Sequence, residues 1–341
     1  MINEGTYEKD WINSLSTQIG KRGDPKLLEK VIYAFTLLEQ LQSSGLNFIF
    51  KGGTSLLLIS PIPRRFSIDI DIIADYELND IPTYLDRVVA MGKFKRWTPN
   101  NERKSSPAAP VAHFKFYYTS QVDSYFGEEP ILLDLLLGKN PYPVTKEVSI
   151  QHPWLQTAGE ILTAQIPITE SILGDKLTAF APHKIGILYT KQRPVEIIKQ
   201  LFDIGFLFDE AKEISIIKAS YLKNAAEEIK YRNLIITWQD ALEDSFLASL
   251  TISKKDTGEP NYPELQKGIF NIVNFILGKF TLEEAITCAA KAAYLSILLR
   301  QDNPAIKPYN GPEELTSWEI KDDTKLNKLK KTNPEAFFTG I

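Results

Sequence analysis

The segment Arg65-Phe-Ser-Ile-Asp-Ile-Asp-Ile-Ile73 constrains the fold more than any other stretch of the chain. Its side chains alternate, with isoleucines at 68, 70 and 72 set against Ser67, Asp69 and Asp71. A strand sorts such residues onto two faces, one apolar and one acidic. Aspartate is a poor strand former, so two of them on a half-covered face point beyond structure. Side-by-side carboxylates repel unless a cation lies between them. Hard oxygen ligands of this kind suit Mg²⁺, with Mn²⁺ as a substitute, held by one or two carboxylates plus substrate phosphates.

The residues just upstream extend this reading. Asn47 to Lys51 has strand character and stops at Gly52-Gly53, and Thr54 to Ile59 opens a short helix closed by Pro61 and Pro63. Glycine lets the backbone approach a phosphate closely, and amides at a helix start attract its charge. Thr54 and Ser55 add hydroxyls. The spacing matches neither a Walker A loop nor a dinucleotide fingerprint. Alone, Gly-Gly-Thr-Ser is equally a structural turn; beside Asp69 and Asp71 it reads as a phosphate site. A third carboxylate is then expected on a neighbouring strand. Asp134 stands alone among apolar residues in Pro130 to Leu137, where burial without a partner is costly. It should meet a metal, a basic partner or a strand edge.

The remaining pattern divides the chain near residue 165. Asp24-Pro25 caps a helix running to about Ser44 and closed by Gly45. Further strands are expected at His113 to Thr119 and Ile131 to Leu137, with a turn at Tyr125 to Pro130 between them. Residues 1–165 thus read as a mixed α/β domain with N-terminal helices and a central sheet. From Thr169 the pattern is helical, through 197–208, 225–231 and 234–250. Thr281 and Glu284 form a capping box ahead of an alanine-rich helix reaching about Arg300. Residues 166–341 read as a helical domain, with a fraying polar tail at Lys321 to Lys331.

Composition excludes several function classes. A chain of 341 residues with 43% hydrophobic content can bury two ordinary cores. Its net charge of −4 argues against a general nucleic-acid coat but allows a local basic patch. One cysteine, Cys288, removes any disulfide framework, and His113, His152 and His183 lack metal-ligand spacing and read as core or surface residues. Phe114, Phe116, Tyr117 and Tyr118 read as a packed strand. No export signal or run of 18 apolar residues occurs, so a cytoplasmic protein with no membrane partner is expected.

Lys51-Gly-Gly-Thr-Ser-Leu56 followed by Arg65-Phe-Ser-Ile-Asp69-Ile-Asp71 resembles the AbiEii toxin family, nucleotidyltransferases of the DNA polymerase beta superfamily from type IV toxin–antitoxin, or abortive-infection, systems. The resemblance continues through Gly174-Asp-Lys176-Leu-Thr-Ala-Phe180 and Lys199-Gln-Leu-Phe-Asp203-Ile-Gly-Phe-Leu207, and so covers about residues 46–208. The family often places a basic residue where Gln200 stands. The resemblance implies a polymerase-beta-like mixed sheet followed by a helical domain. It also implies transfer of a nucleoside monophosphate from a nucleoside triphosphate to an acceptor hydroxyl, with RNA such as the tRNA 3′ end as acceptor and a cognate antitoxin as partner. Asp69, Asp71 and Asp134 would hold two Mg²⁺ ions. Gly53, Thr54 and Ser55 would take the β- and γ-phosphates, and Lys176 would neutralise triphosphate charge. Lys51, Gly52, Arg65, Ser67, Arg193 and Asp203 complete the expected nucleotide site. Arg65 and Lys51 fit ordinary structural roles equally well, and Lys184, Lys191, Arg193 and Lys199 compete for the phosphate contact. The alternatives are transfer to a protein or small molecule, or a non-catalytic binding member of the same fold.

Overall fold

Asp24 and Pro25 start the central helix of the first unit as their chemistry dictates. In the computed structural model the Asp24 carboxylate accepts from the amides of Lys26 at 2.8 Å and Leu27 at 3.4 Å, and the helix runs from Pro25 to Ser43. Gly45 beyond it takes a φ of +84°. The structure describes all residues except 61, 103–108, 123–126, 302–304, 322 and 341. The chain divides into two compact units. One comprises Met1–Asn140, Thr145–Ile168 and Phe275–Gly278, the other Pro141–Val144, Thr169–Asn274 and Lys279–Ile341.

The first unit is built on a mixed sheet of seven strands. These are β1 (Ile49–Lys51), β2 (Ile70–Ala74), β3 (Arg96–Pro99), β4 (Val111–Thr119), β5 (Glu128–Leu137), β6 (Thr145–Ser149) and β7 (Thr163–Pro167), in spatial order β3-β4-β5-β2-β1-β7-β6. β2 runs parallel to β5, and β1 parallel to β7; the other neighbours are antiparallel. The helices are α1 (Lys9–Ile19), α2 (Pro25–Ser43), α3 (Gly52–Ile59) and α4 (Ile81–Ala90). Period-two alternation turns Phe50, Ile70, Ile72, Leu133, Leu135, Phe114, Phe116 and Ile166 into one core with Leu28, Val31, Ile32, Phe35 and Leu38 of α2. Tyr117, on the opposite face of β4 from this core, lies instead 3.6 Å beneath the Arg96 guanidinium.

Several boundaries differ from expectation. The regular part of the acidic strand begins at Ile70, because Arg65 and Phe66 pair with the excursion of the chain at Phe275–Gly278: Arg65 bridges Ile276, and the Phe66 amide donates to the Phe275 carbonyl at 2.8 Å. The turn expected at residues 125–130 is not a turn over its second half. Glu128, Glu129 and Pro130 open β5, where Arg96 and Lys30 pair with the two glutamates at 2.8 and 2.9 Å. Tyr125 and Phe126 of that reading, and Pro61 after the short helix, lie outside the described residues. β5 is also no edge: it lies between β4 and β2, which removes the edge-strand reading of Asp134.

The second unit is helical. It contains α5 (Thr169–Ala179), α6 (Pro194–Glu210), α7 (Ile214–Tyr231), α8 (Trp238–Lys254), α9 (Tyr262–Asn271), α10 (Leu282–Leu298), α11 (Leu329–Thr332) and α12 (Pro334–Thr339). The capping box of Thr281 and Glu284 forms, and Thr237 with Asp240 makes a second one at α8. The tail does not fray: Leu326 and Leu329 are buried and Lys254 pairs with Asp323. Among the described residues no helix is long and apolar enough to cross a membrane.

Candidate active site

The sheet assembles one row of charged and polar side chains on the face opposite α2. In register, Lys51 of β1 is opposite Asp71 of β2, Asp71 is opposite Asp134 of β5, and Asp134 is opposite His113 of β4. Residues directly opposite share a face, so these four side chains stand side by side, each half-buried. Adjacent strands lie about 4.8 Å apart, which brings the carboxylates of Asp71 and Asp134 close along the row. Two unit charges about 5 Å apart repel by about 3 kcal/mol at an effective dielectric of 20. Asp69 precedes the first residue of β2, half-buried, on the same alternation as Asp71.

The paired glycines explain themselves sterically. There is no loop between β1 and α3: Lys51 ends the strand and Gly52 begins the helix. Gly52 has a φ of +79°, and a Cβ on it would lie 2.1 Å from Asp71 Oδ2 and 2.8 Å from Asp71 Cγ. The Asp71 carboxylate therefore occupies the space that any other residue at position 52 would fill. A Cβ on Gly53 would lie 2.5 Å from Arg65 Nη2 and 2.7 Å from Ser67 Oγ. Arg65 is 6% exposed, and its Nη1 donates to the Phe66 carbonyl at 3.0 Å. Thr54 and Ser55 are fully buried. The Thr54 hydroxyl donates to the Asp69 carbonyl at 2.6 Å and lies 2.9 Å from Ser67 Oγ, and Ser55 donates to the Gly52 carbonyl at 2.8 Å. Both hydroxyls thus fasten α3 and the approach to β2. That leaves the backbone at the start of α3 as the chemistry suited to phosphate.

His113, expected from the sequence to be a core or surface residue, stands in this row. Its Nδ1 lies 2.7 Å from Asp134 Oδ1. The only local signal was parity, since His113 alternates with Phe114 and so leaves the core face of β4; its partner depends on strand register, which the sequence does not reveal. Asp134 thus has the basic partner that its apolar setting demanded.

The other expected residues belong to the helical unit. Lys176 of α5 and Asp203 of α6 are buried, with Nζ 2.9 Å from Asp203 Oδ2. Lys176 Nζ also donates to Gln200 Oε1 at 3.0 Å, so the glutamine that replaces a basic residue serves as a second acceptor. Arg193 is exposed at the N-cap of α6. Lys184 and Lys191 are exposed, and Lys199 pairs with Glu196 at 2.9 Å.

Of the four side chains in the sheet row, Asp71 and Asp134 carry acidic oxygens, which match a hard divalent ion. Asp71 and Asp134 satisfy the one or two carboxylates that Mg²⁺ ordinarily takes from protein, and such an ion would relieve their repulsion. Among the described residues no group of three or more His, Cys, Asp or Glu side chains is gathered closely enough to hold a metal by itself.

Comparison with known proteins places the chain in a family. No curated protein matches the chain. Two solved structures from Helicobacter pylori match the chain: JHP933, with 14% identity and a TM-score of 0.43, and a candidate nucleotidyltransferase, with 15% identity and a TM-score of 0.42. Each alignment covers 80% of this chain and 92% of the other. The family model described as the AbiEii nucleotidyl transferase toxin of type IV toxin–antitoxin systems matches residues 36–267, which include the acidic row, the paired glycines and the Lys176–Asp203 pair. With more than half its length so matched, the chain belongs to the AbiEii family of nucleotidyltransferase toxins.

Proposed function

We propose that the protein transfers a nucleoside monophosphate from a nucleoside triphosphate to a hydroxyl of RNA, with the tRNA 3′ end as the favoured acceptor. In this reading it is a cytoplasmic toxin used in phage defence and held in check by a cognate antitoxin. The observation that carries the reading is the direct pairing of Asp71 with Asp134 on adjacent parallel strands, against a glycine that leaves room for the Asp71 carboxylate.

Asp69, Asp71 and Asp134 would hold Mg²⁺, with two ions in the working site. Such an ion would supply charge neutralisation at the α-phosphate and an easier deprotonation of the acceptor hydroxyl. Asp69 and Asp71 serve the triphosphate, and Asp134 serves the acceptor side. The backbone of Gly53, Thr54 and Ser55 offers the β- and γ-phosphates a helix start. Lys176 is assigned to triphosphate charge on its family position alone. The net charge of −4 requires any RNA contact to be local, and the exposed Lys184, Lys191 and Arg193 are the candidates.

The test is a labelling assay with the purified chain, Mg²⁺, each of the four labelled nucleoside triphosphates and total tRNA. Label on RNA from the wild type, lost in Asp69→Asn/Asp71→Asn of unchanged thermal stability, supports the proposal. Label confined to protein or small molecules overturns the RNA acceptor. Undiminished labelling by the double variant overturns the metal assignment, and a wild type that labels nothing overturns transfer itself.

A further inference from the structure

Resting on that transferase reading, we propose that His113 is a positioning residue for Asp134. Its Nδ1–H fixes the orientation of the carboxylate and thereby sets the affinity of the site for its divalent ion.

Three observations converge on it. The first is register: His113 and Asp134 are directly opposed on adjacent antiparallel strands, so their backbones are held by the nine residue pairs of the β4–β5 ladder. Neither side chain needs to search for the other. The second is shielding. Nδ1 and Oδ1 lie 2.7 Å apart between side chains only 11% and 13% exposed, where water competes weakly for the bond. The third is the far side of the ring, where Nε2 is buried and meets no hydrogen-bond partner. A buried polar atom left unsatisfied costs about 1–3 kcal/mol. A phenyl ring would fill the same space without that penalty, so packing does not account for a histidine here. The interaction of Nδ1 does.

The consequence for the site follows from the freedom that the bond removes. The terminal torsion of an aspartate is broad, and both oxygens of Asp134 are chemically alike. A donor fixed to Oδ1 makes them unlike: it holds the carboxylate plane and determines which oxygen is turned to an ion shared with Asp71. Partners of this kind behind metal ligands commonly alter metal affinity by about 10–100-fold when removed. The groups around the pair are Lys51 and Asp71 on its β2 side, and Lys115 and Tyr117 further along the same face of β4.

Mn²⁺ titrations of the full chain, followed by electron paramagnetic resonance at one fixed pH, test the assignment without any turnover. His113→Phe keeps the ring volume and removes the donor. His113→Asn restores an N–H near the position of Nδ1. The expected result is a dissociation constant raised about 10–100-fold in the phenylalanine variant, with the asparagine variant nearer the wild type. Equal affinity in His113→Phe and wild type overturns the assignment, as does an asparagine variant no better than the phenylalanine one. In those cases wild-type binding and RNA labelling stand, and only the role of His113 falls. A wild type that binds no Mn²⁺, either alone or with a non-hydrolysable nucleoside triphosphate present, overturns the transferase reading and this inference with it. Should His113→Phe not fold, the wild type alone decides the matter. The ¹⁵N resonance of His113 Nδ1 should show an attached proton and shift on Mg²⁺ saturation; a resonance that does not move overturns the assignment.

Discussion

Replacement of Gly52 by alanine tests the link between backbone geometry and the acidic row. Two costs are separable at this position. An L-residue at a φ of +79° carries left-handed strain of about 1–2 kcal/mol. The new Cβ would also lie 2.1 Å from Asp71 Oδ2, 2.8 Å from Cγ and 3.0 Å from Cβ, against an ordinary contact of at least 3.4 Å. Rotation about χ1 of Asp71 would carry Oδ2 and Cγ away, but it leaves Asp71 Cβ at 3.0 Å and turns the carboxylate out of its place in the row. Oδ2 must move by about 1.3 Å, and crowding of this kind costs about 1–3 kcal/mol more. The total is about 2–5 kcal/mol. Gly92 provides the control: its φ is +87° and a Cβ there meets nothing within 4 Å, so Gly92→Ala registers strain alone. Gly53→Ala carries no left-handed strain, but its Cβ meets the ends of the buried Arg65 and of Ser67, so crowding alone should destabilise it by about 1–3 kcal/mol.

Urea unfolding of the three variants gives the stability differences. The labelling assay gives their activities, where a displacement of about 1 Å near reacting groups can cost about 100-fold. The reasoning is refuted if Gly52→Ala is no less stable than Gly92→Ala and labels RNA within twofold of wild type.

Two further outcomes follow from buried charge. Lys176→Met leaves the buried Asp203 carboxylate without its lysine and should destabilise the fold by about 3–5 kcal/mol, with partial recovery on adding Asp203→Asn, both read by urea unfolding. Burial also pushes the His152 imidazole down to about 4 from 6.5. As pH falls through that interval the unfolded chain takes up a proton that the folded one refuses, so stability declines between pH 6.5 and pH 4 by up to about 3 kcal/mol. His152→Phe, packed between Phe35 and Trp154, should flatten that limb in unfolding curves at pH 7, 5.5 and 4, and an unchanged slope would count against the burial argument.

Local chemistry was readable directly from the chain. Asp24-Pro25, the Thr281 capping box and the alternation of Ile70 and Ile72 with Asp71 depend on residues within a few positions of one another, and each forms as its neighbours dictate. The motif from Lys51 to Asp71 was equally plain, because its meaning lies in residue types and spacing. The partners across strands were not. Strand alternation tells which face a residue takes, but register is set by the whole sheet. Only the tertiary structure decided that Asp71 stands opposite Asp134, that His113 backs Asp134, and that Phe275–Gly278 returns to pair with Arg65 and Phe66. The glycines show both levels at once. Their presence marked a candidate phosphate site in the sequence, whereas the steric reason for Gly52, a carboxylate lying where its Cβ would be, exists only once β1 and β2 are paired.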